Sequence, residues 1–172
     1  MRLFIAFCFD DQTKDAIVAV QRRLSDCASG NFTERENLHL TLAFLGEVGD
    51  DAAAKRAIAE RFHVPVRLEF DRVGTFRRDL YWVGVKPDPA LDALYAELVA
   101  DLRRAGLTGD WPQRLTPHIT LGREVRLRAQ PDLAFEPFAM TARRLSLMKS
   151  ERIAGRLTYT EIFGKSECQT PG

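Results

Sequence analysis

Residues 38–46 read Leu38-His39-Leu40-Thr41-Leu42-Ala43-Phe44-Leu45-Gly46, and residues 116–123 read Thr116-Pro117-His118-Ile119-Thr120-Leu121-Gly122-Arg123. Both contain H-x-T-L, and they take up two of the three histidines in the chain. Side chains alternate faces along a strand, so His and Thr two apart point one way while Leu40/Leu42 and Ile119/Leu121 point the other. Each stretch reads as a strand that buries one face and offers an imidazole and a hydroxyl on the other. A single such tetrapeptide is an ordinary strand with a structural histidine. Two copies make a pair with a shared task.

The order of elements around the motifs also repeats. An apolar strand opens at Leu3, a helix follows, and His39 comes 36 positions on; a strand opens near Tyr81, a helix follows, and His118 comes 37 positions on. In the first helix Asp10 or Asp11 is a capping carboxylate, and Ile17, Val20, Leu24 and Cys27 recur at helical spacing before Ser29-Gly30-Asn31 ends it. A polar loop over 33–37 leads into the first motif. Gly49-Asp50-Asp51 opens another helix with Ala54, Ile58 and Phe62 on one face. Asp88-Pro89 opens a third, with Leu91, Leu94, Tyr95, Leu98 and Leu102 as its stripe and Gly106 as its stop. Between these lies a hairpin, extended from Pro65 to Val73 and returning at Leu80–Val85 after a turn around Gly74 and Arg77-Arg78-Asp79. Residues 123–136 read as irregular and basic. Phe138–Lys149 reads as one long strand, and Leu157–Phe163 as its partner across Gly155.

This order predicts an α+β fold: a bilobal pseudo-two-fold duplication whose two antiparallel sheets face a central groove, with helices outside. A single domain over 1–164 and a polar, loose tail over 165–172 are expected.

Composition narrows the function. A formal net charge of +1 draws the chain globally to neither nucleic acid nor membrane, so any anion binding is local. The arginine pairs at 77/78, 103/104 and 143/144 read as solvated faces. Three cysteines, Cys8, Cys27 and Cys168, in no metal-ligand spacing imply a reducing compartment. The opening MRLFIAFCF reads as a buried strand, not a signal peptide, and no stretch has the length of a membrane span. A cytoplasmic monomer is expected.

Two imidazoles near neutral pH can serve as one base and one acid, which is what in-line displacement at phosphorus needs. The Thr41 and Thr120 hydroxyls can hold the non-bridging oxygens between them. No metal or cofactor is called for: there is no third ligand at zinc spacing, no glycine-rich phosphate loop and no G-x-S-x-G turn. His63 reads as a surface or helix-end residue. Phe7, Phe76, Trp82, Trp111 and Tyr159 are candidates to stack on a base. Most read as core, and Phe76, at a hairpin tip beside Arg77 and Arg78, is the preferred one.

The paired H-x-T-L motifs, MRLFIAF, LHLTLAFLGEV, TPHITLGR and LSLMKSERIAGRLTYTEI together resemble the two-histidine phosphoesterase superfamily, and within it the RNA 2′,3′-cyclic phosphodiesterases, also called 2′-5′ RNA ligases. The resemblance spans nearly the whole chain. It implies metal-free hydrolysis of a terminal RNA 2′,3′-cyclic phosphate to a 2′-phosphate, and in some members reverse 2′-5′ joining of RNA ends. By similarity His118 is the base, His39 the acid, and Arg123 a further phosphate ligand. Strict alternation puts Arg123 opposite His118, so it is expected past the strand end, after a turn at Gly122. The alternatives are a small cyclic nucleotide as substrate, or a nucleotide- or RNA-binding module without turnover.

Overall fold

The computed structural model describes residues 1–168. Two antiparallel sheets and three helices follow one another as β1 (Arg2–Cys8), α1 (Asp11–Ser25), β2 (Ala28–Phe32), β3 (His39–Glu47), α2 (Ala52–Arg61), β4 (Val66–Phe76), β5 (Leu80–Val85), α3 (Pro89–Arg104), β6 (His118–Leu127), β7 (Phe138–Ala142), β8 (Arg144–Ile153) and β9 (Arg156–Ser166). One sheet has the order β3-β1-β8-β9, the other β2-β6-β5-β4-β7. Both contain the same unit. A strand (β1 or β5) leads through a helix to the adjacent motif strand (β3 or β6), and an antiparallel strand (β8 or β4) flanks it on the other side. The duplication read from spacing is present in three dimensions.

The helices start and stop where side-chain chemistry directs. Asp10 accepts from the Thr13 amide at 2.8 Å, Asp50 from Ala52 at 2.9 Å, and Asp88 from Ala90 and Leu91. Gly106, at φ +83°, ends α3 in the left-handed region. The α1 stripe Ile17, Val20 and Leu24 and the α3 stripe Leu91, Leu94, Tyr95, Leu98 and Leu102 are buried in one core with Leu40, Leu42, Ile119 and Leu121 of the motif strands. Each motif therefore buries its apolar face as its alternation requires. Arg61 of α2 grips Asp101 of α3 through two hydrogen bonds of 2.6 and 3.0 Å, joining the helices outside the sheets. None of the described helices is long and apolar enough to cross a membrane.

Four expectations are corrected. Ser29-Gly30-Asn31 does not simply end α1: residues 28–32 form β2, which pairs with β6 and ties the first half of the chain to the second sheet. Residues 123–127 continue β6 instead of forming a loop. Phe138–Lys149 is not one strand. Ala142 and Leu145 are both buried, an odd spacing that no single strand can satisfy on one face, so the chain crosses at Arg143 from β7 in one sheet to β8 in the other. Lys165 and Ser166, placed in the tail, complete β9, and the Glu167 and Cys168 amides bond to the carbonyls of Arg143 and His63. The rest of that tail lies outside the described residues.

Candidate active site

The same irregularity shapes both motif strands. On β3, Thr41 pairs with Ala6 and Ala43 with Ile5, so Leu42 is an extra residue. On β6, Thr120 pairs with Trp82 and Gly122 with Tyr81, so Leu121 is extra. A bulge directly after each threonine reverses the alternation beyond it. Arg123, which a regular strand would turn away, thus joins the face of His118 and Thr120 while remaining within the strand. The expected turn past the strand end is not needed. Gly122 matters for another reason: a Cβ there would meet the Phe32 ring at 2.9 Å and Val125 at 3.1 Å, so only glycine lets β2 close on the bulge.

Both imidazoles are held alike. His39 Nδ1 lies 2.6 Å from the Asn37 carbonyl, and His118 Nδ1 lies 2.7 Å from the Thr116 carbonyl, in each case the residue two before the histidine. A carbonyl can only accept, so Nδ1 carries the proton and Nε2 is left to the groove. The Nε2 atoms differ. That of His39 is 2.8 Å from the Thr41 hydroxyl, whereas among the described residues that of His118 has no hydrogen-bond partner.

Aromatic rings box each imidazole. Phe4 and Tyr159 lie with centroids 4.8 and 5.1 Å from His39, the tyrosine edge-on. Phe76 and Trp82 lie 5.0 and 6.0 Å from His118, the phenylalanine edge-on. Burial in these boxes holds both histidines below the ordinary imidazole range, against the raising effect of the Asn37 and Thr116 carbonyls. The positive charge of Arg123 lowers both further, as does His118 for His39. The two imidazoles and one guanidinium therefore share a single electrostatic site.

Of the stacking candidates, Phe76 and Trp82 stand beside His118 and Tyr159 beside His39, whereas Phe7 is fully buried and Trp111 is a core residue whose Nε1 donates to the Phe44 carbonyl at 2.8 Å. His63 is exposed just past α2, its Nε2 2.7 Å from the Glu60 carbonyl. Sequence reasoning passed over Phe4 and Asn37. Phe4 was hidden in a run that is buried on both faces. Asn37 does two jobs: its carbonyl accepts a hydrogen bond from Nδ1–H of His39, and its side chain donates to the Leu157 carbonyl of β9 at 2.9 Å. The signal available was a polar residue two before each motif histidine. Among the described residues no three His, Cys, Asp or Glu side chains converge as a metal-binding set.

Two lobes that each present an H-x-T face to one arginine define a two-histidine phosphoesterase. The chain belongs to the 2′-5′ RNA ligase superfamily, whose family model matches residues 9–154. It is 33% identical to the RNA 2′,3′-cyclic phosphodiesterase of Archaeoglobus fulgidus, over 73% of this chain and 74% of that one. It is 28% identical to that of Thermotoga maritima, over 100% and 97%. The crystal structure of E. coli LigT complexed with 3′-AMP superposes with a TM-score of 0.77 at 26% identity, covering 98% of each chain.

Proposed function

We propose that this protein hydrolyses the 2′,3′-cyclic phosphate at an RNA end to a 2′-phosphate, without a metal. The matched Nδ1-anchored imidazoles carry this reading, supported by relatives named RNA 2′,3′-cyclic phosphodiesterase. His118, with an unpartnered Nε2, takes a proton from water as the water oxygen bonds to phosphorus. The bond from phosphorus to the 3′ oxygen breaks, and His39 delivers a proton from Nε2 to that oxygen. Thr41, Thr120 and Arg123 hold the non-bridging oxygens, where negative charge is greatest. Run in the same direction with a 5′-hydroxyl RNA end attacking in place of water, the same proton transfers form a 2′-5′ linkage. Phe76 is the proposed base-stacking residue on the His118 side. The setting is a cytoplasmic monomer.

A formal net charge of +1 supports a second reading, the same chemistry on a small cyclic nucleotide. The test is hydrolysis of an oligonucleotide ending in a 2′,3′-cyclic phosphate, in EDTA, by wild type, His39→Ala and His118→Ala. A 2′-phosphate product, and a loss of about 10²–10⁴-fold in each variant, is expected. Turnover abolished by EDTA would overturn the metal-free mechanism, and tight binding without turnover would make the protein a binding module.

A further inference from the structure

The groove face of the first sheet carries a second cation that the proposed reaction does not use. Phe4 faces His39, so Arg2, two residues earlier on β1, lies on the same face. The register agrees: Arg2 is opposite Ser150, and Ser150 opposite Tyr159, whose ring is edge-on to His39. Burial pushes the Tyr159 hydroxyl up, and the charges of Arg123 and Arg2 pull it back down, which places both guanidiniums near one phenol.

Arg2 is unspent. Its cross-strand neighbour Glu47 is engaged at 3.4 Å by the Met1 amino group, and among the described residues no carboxylate lies within ion-pairing distance of Arg2. What it does contact is Phe44, with the guanidinium carbon 4.9 Å from the ring centroid. Phe44 is 42% exposed, unusual for a phenylalanine, and its place explains why it faces outward. It stands three residues past Thr41 beyond the bulge, as Arg123 stands three past Thr120 beyond the equivalent bulge. The two-fold thus puts the phosphate-facing arginine on one wall and an arginine-capped phenylalanine on the other.

We propose that Arg2, seated on Phe44, binds the phosphodiester on the 5′ side of the terminal nucleoside, making this wall a subsite for a second nucleotide. The inference rests on the phosphodiesterase reading and adds to it that the preferred substrate is a chain, not a mononucleotide. Thr41 is level with Ala6, and Arg2 is four residues further along β1, about 13 Å at ~3.3 Å per residue. A planar guanidinium whose donors have no partner among the described residues suits a phosphodiester, and the ring beneath keeps it from collapsing onto the sheet.

The test compares kcat/KM for a nucleoside 2′,3′-cyclic phosphate with that for a dinucleotide bearing the same cyclic end, in wild type, Arg2→Ala and Arg2→Lys. Wild type is expected to favour the dinucleotide by about tenfold, the scale of one charge-assisted hydrogen-bonded contact. In Arg2→Ala that ratio falls to about one, and Arg2→Lys restores part of it. The salt dependence of dinucleotide turnover weakens by a log–log slope of about 0.7, one phosphate on a single strand. A tenfold preference that survives in Arg2→Ala overturns the subsite while leaving the phosphodiesterase reading intact. So does a wild type that turns over both substrates equally. If neither substrate is turned over, the phosphodiesterase reading itself fails and the subsite falls with it.

Discussion

The Thr41 hydroxyl lies 2.8 Å from Nε2 of His39, whereas its counterpart Thr120 makes no such bond to His118 among the described residues. The two motifs share the H-x-T-L pattern, a bulge and an Nδ1 anchor, and they differ at this contact. In the neutral imidazole Nε2 is an acceptor, so Thr41 donates to it and fixes the ring that the proposed mechanism makes the acid. Thr41→Val removes that donor inside a buried box and is expected to lower kcat by about 10–100-fold, near the scale of losing one positioned donor. In the same reading Thr120→Val removes a phosphate contact without disturbing its histidine, and it is expected mainly to raise KM. Steady-state kinetics of the two variants separate the roles, and equal kcat losses would make the threonines interchangeable.

Arg123 reaches the histidine face because Leu121 is an extra residue in β6. Arg123→Ala should lower kcat/KM by about 10²-fold through lost charge stabilisation, and Arg123→Lys should recover little, because a point charge does not replace a bidentate fork. Since Arg123 pushes both histidines down, its removal should also move the pH–rate profile of kcat/KM upward at both limbs. An unmoved profile would place the guanidinium outside the site.

The motif strands, the helices and the shared core were legible because each rests on local periodicity. His39/Thr41 and Leu40/Leu42 are assigned by alternation alone, and Asp10 and Asp88 mark helix starts by capping chemistry. What could not be read is what depends on partners distant in the chain. Asn31 opposite Arg123, and Phe32 opposite Gly122, make β2 a strand, although Ser29-Gly30-Asn31 looks like a turn on its own. A bulge leaves no periodic trace when both faces are apolar, as at Leu121-Gly122, so alternation alone turns Arg123 away from His118 and puts it past the strand end, whereas it lies within β6. The crossing at Arg143 was hidden in the same way, within a run that is strand on both sides of the break.

Trp82 lies across two glycines, with its ring centroid 6.0 Å from that of His118. A Cβ on Gly74 would overlap the indole ring, and one on Gly84 would come within 2.8 Å of it. The Trp82 Nε1 is buried with no hydrogen-bond partner among the described residues, so the ring is held there by shape and by Arg72, 5.6 Å from its centroid. Gly74→Ala should turn the indole and release His118 from its aromatic box. The expected result is a fall in kcat of at least about tenfold with the fold retained, read by kinetics and by tryptophan fluorescence. Unchanged emission together with unchanged kcat would show that the indole does not position the imidazole.

The two depressed histidines give stability and activity opposite demands on pH. In the folded protein burial disfavours the imidazolium, while in the unfolded chain each histidine titrates near its ordinary value of about 6.5. Below that value the unfolded state binds protons that the folded state refuses, so stability falls as pH drops from about 7 toward the depressed folded values, and levels off beneath them. Urea unfolding across this window should show the decline, and His39→Ala and His118→Ala should each flatten it. Turnover by the proposed mechanism needs the opposite of His39, which must be protonated while His118 is not. In the free enzyme that mixed state is most populated below about pH 6.5, so kcat/KM should peak on the acid side of neutrality. A bound phosphate anion favours the imidazolium and raises His39, so kcat should peak at higher pH than kcat/KM. Coincident maxima would mean that the bound anion does not touch His39, and the acid would have to be sought elsewhere.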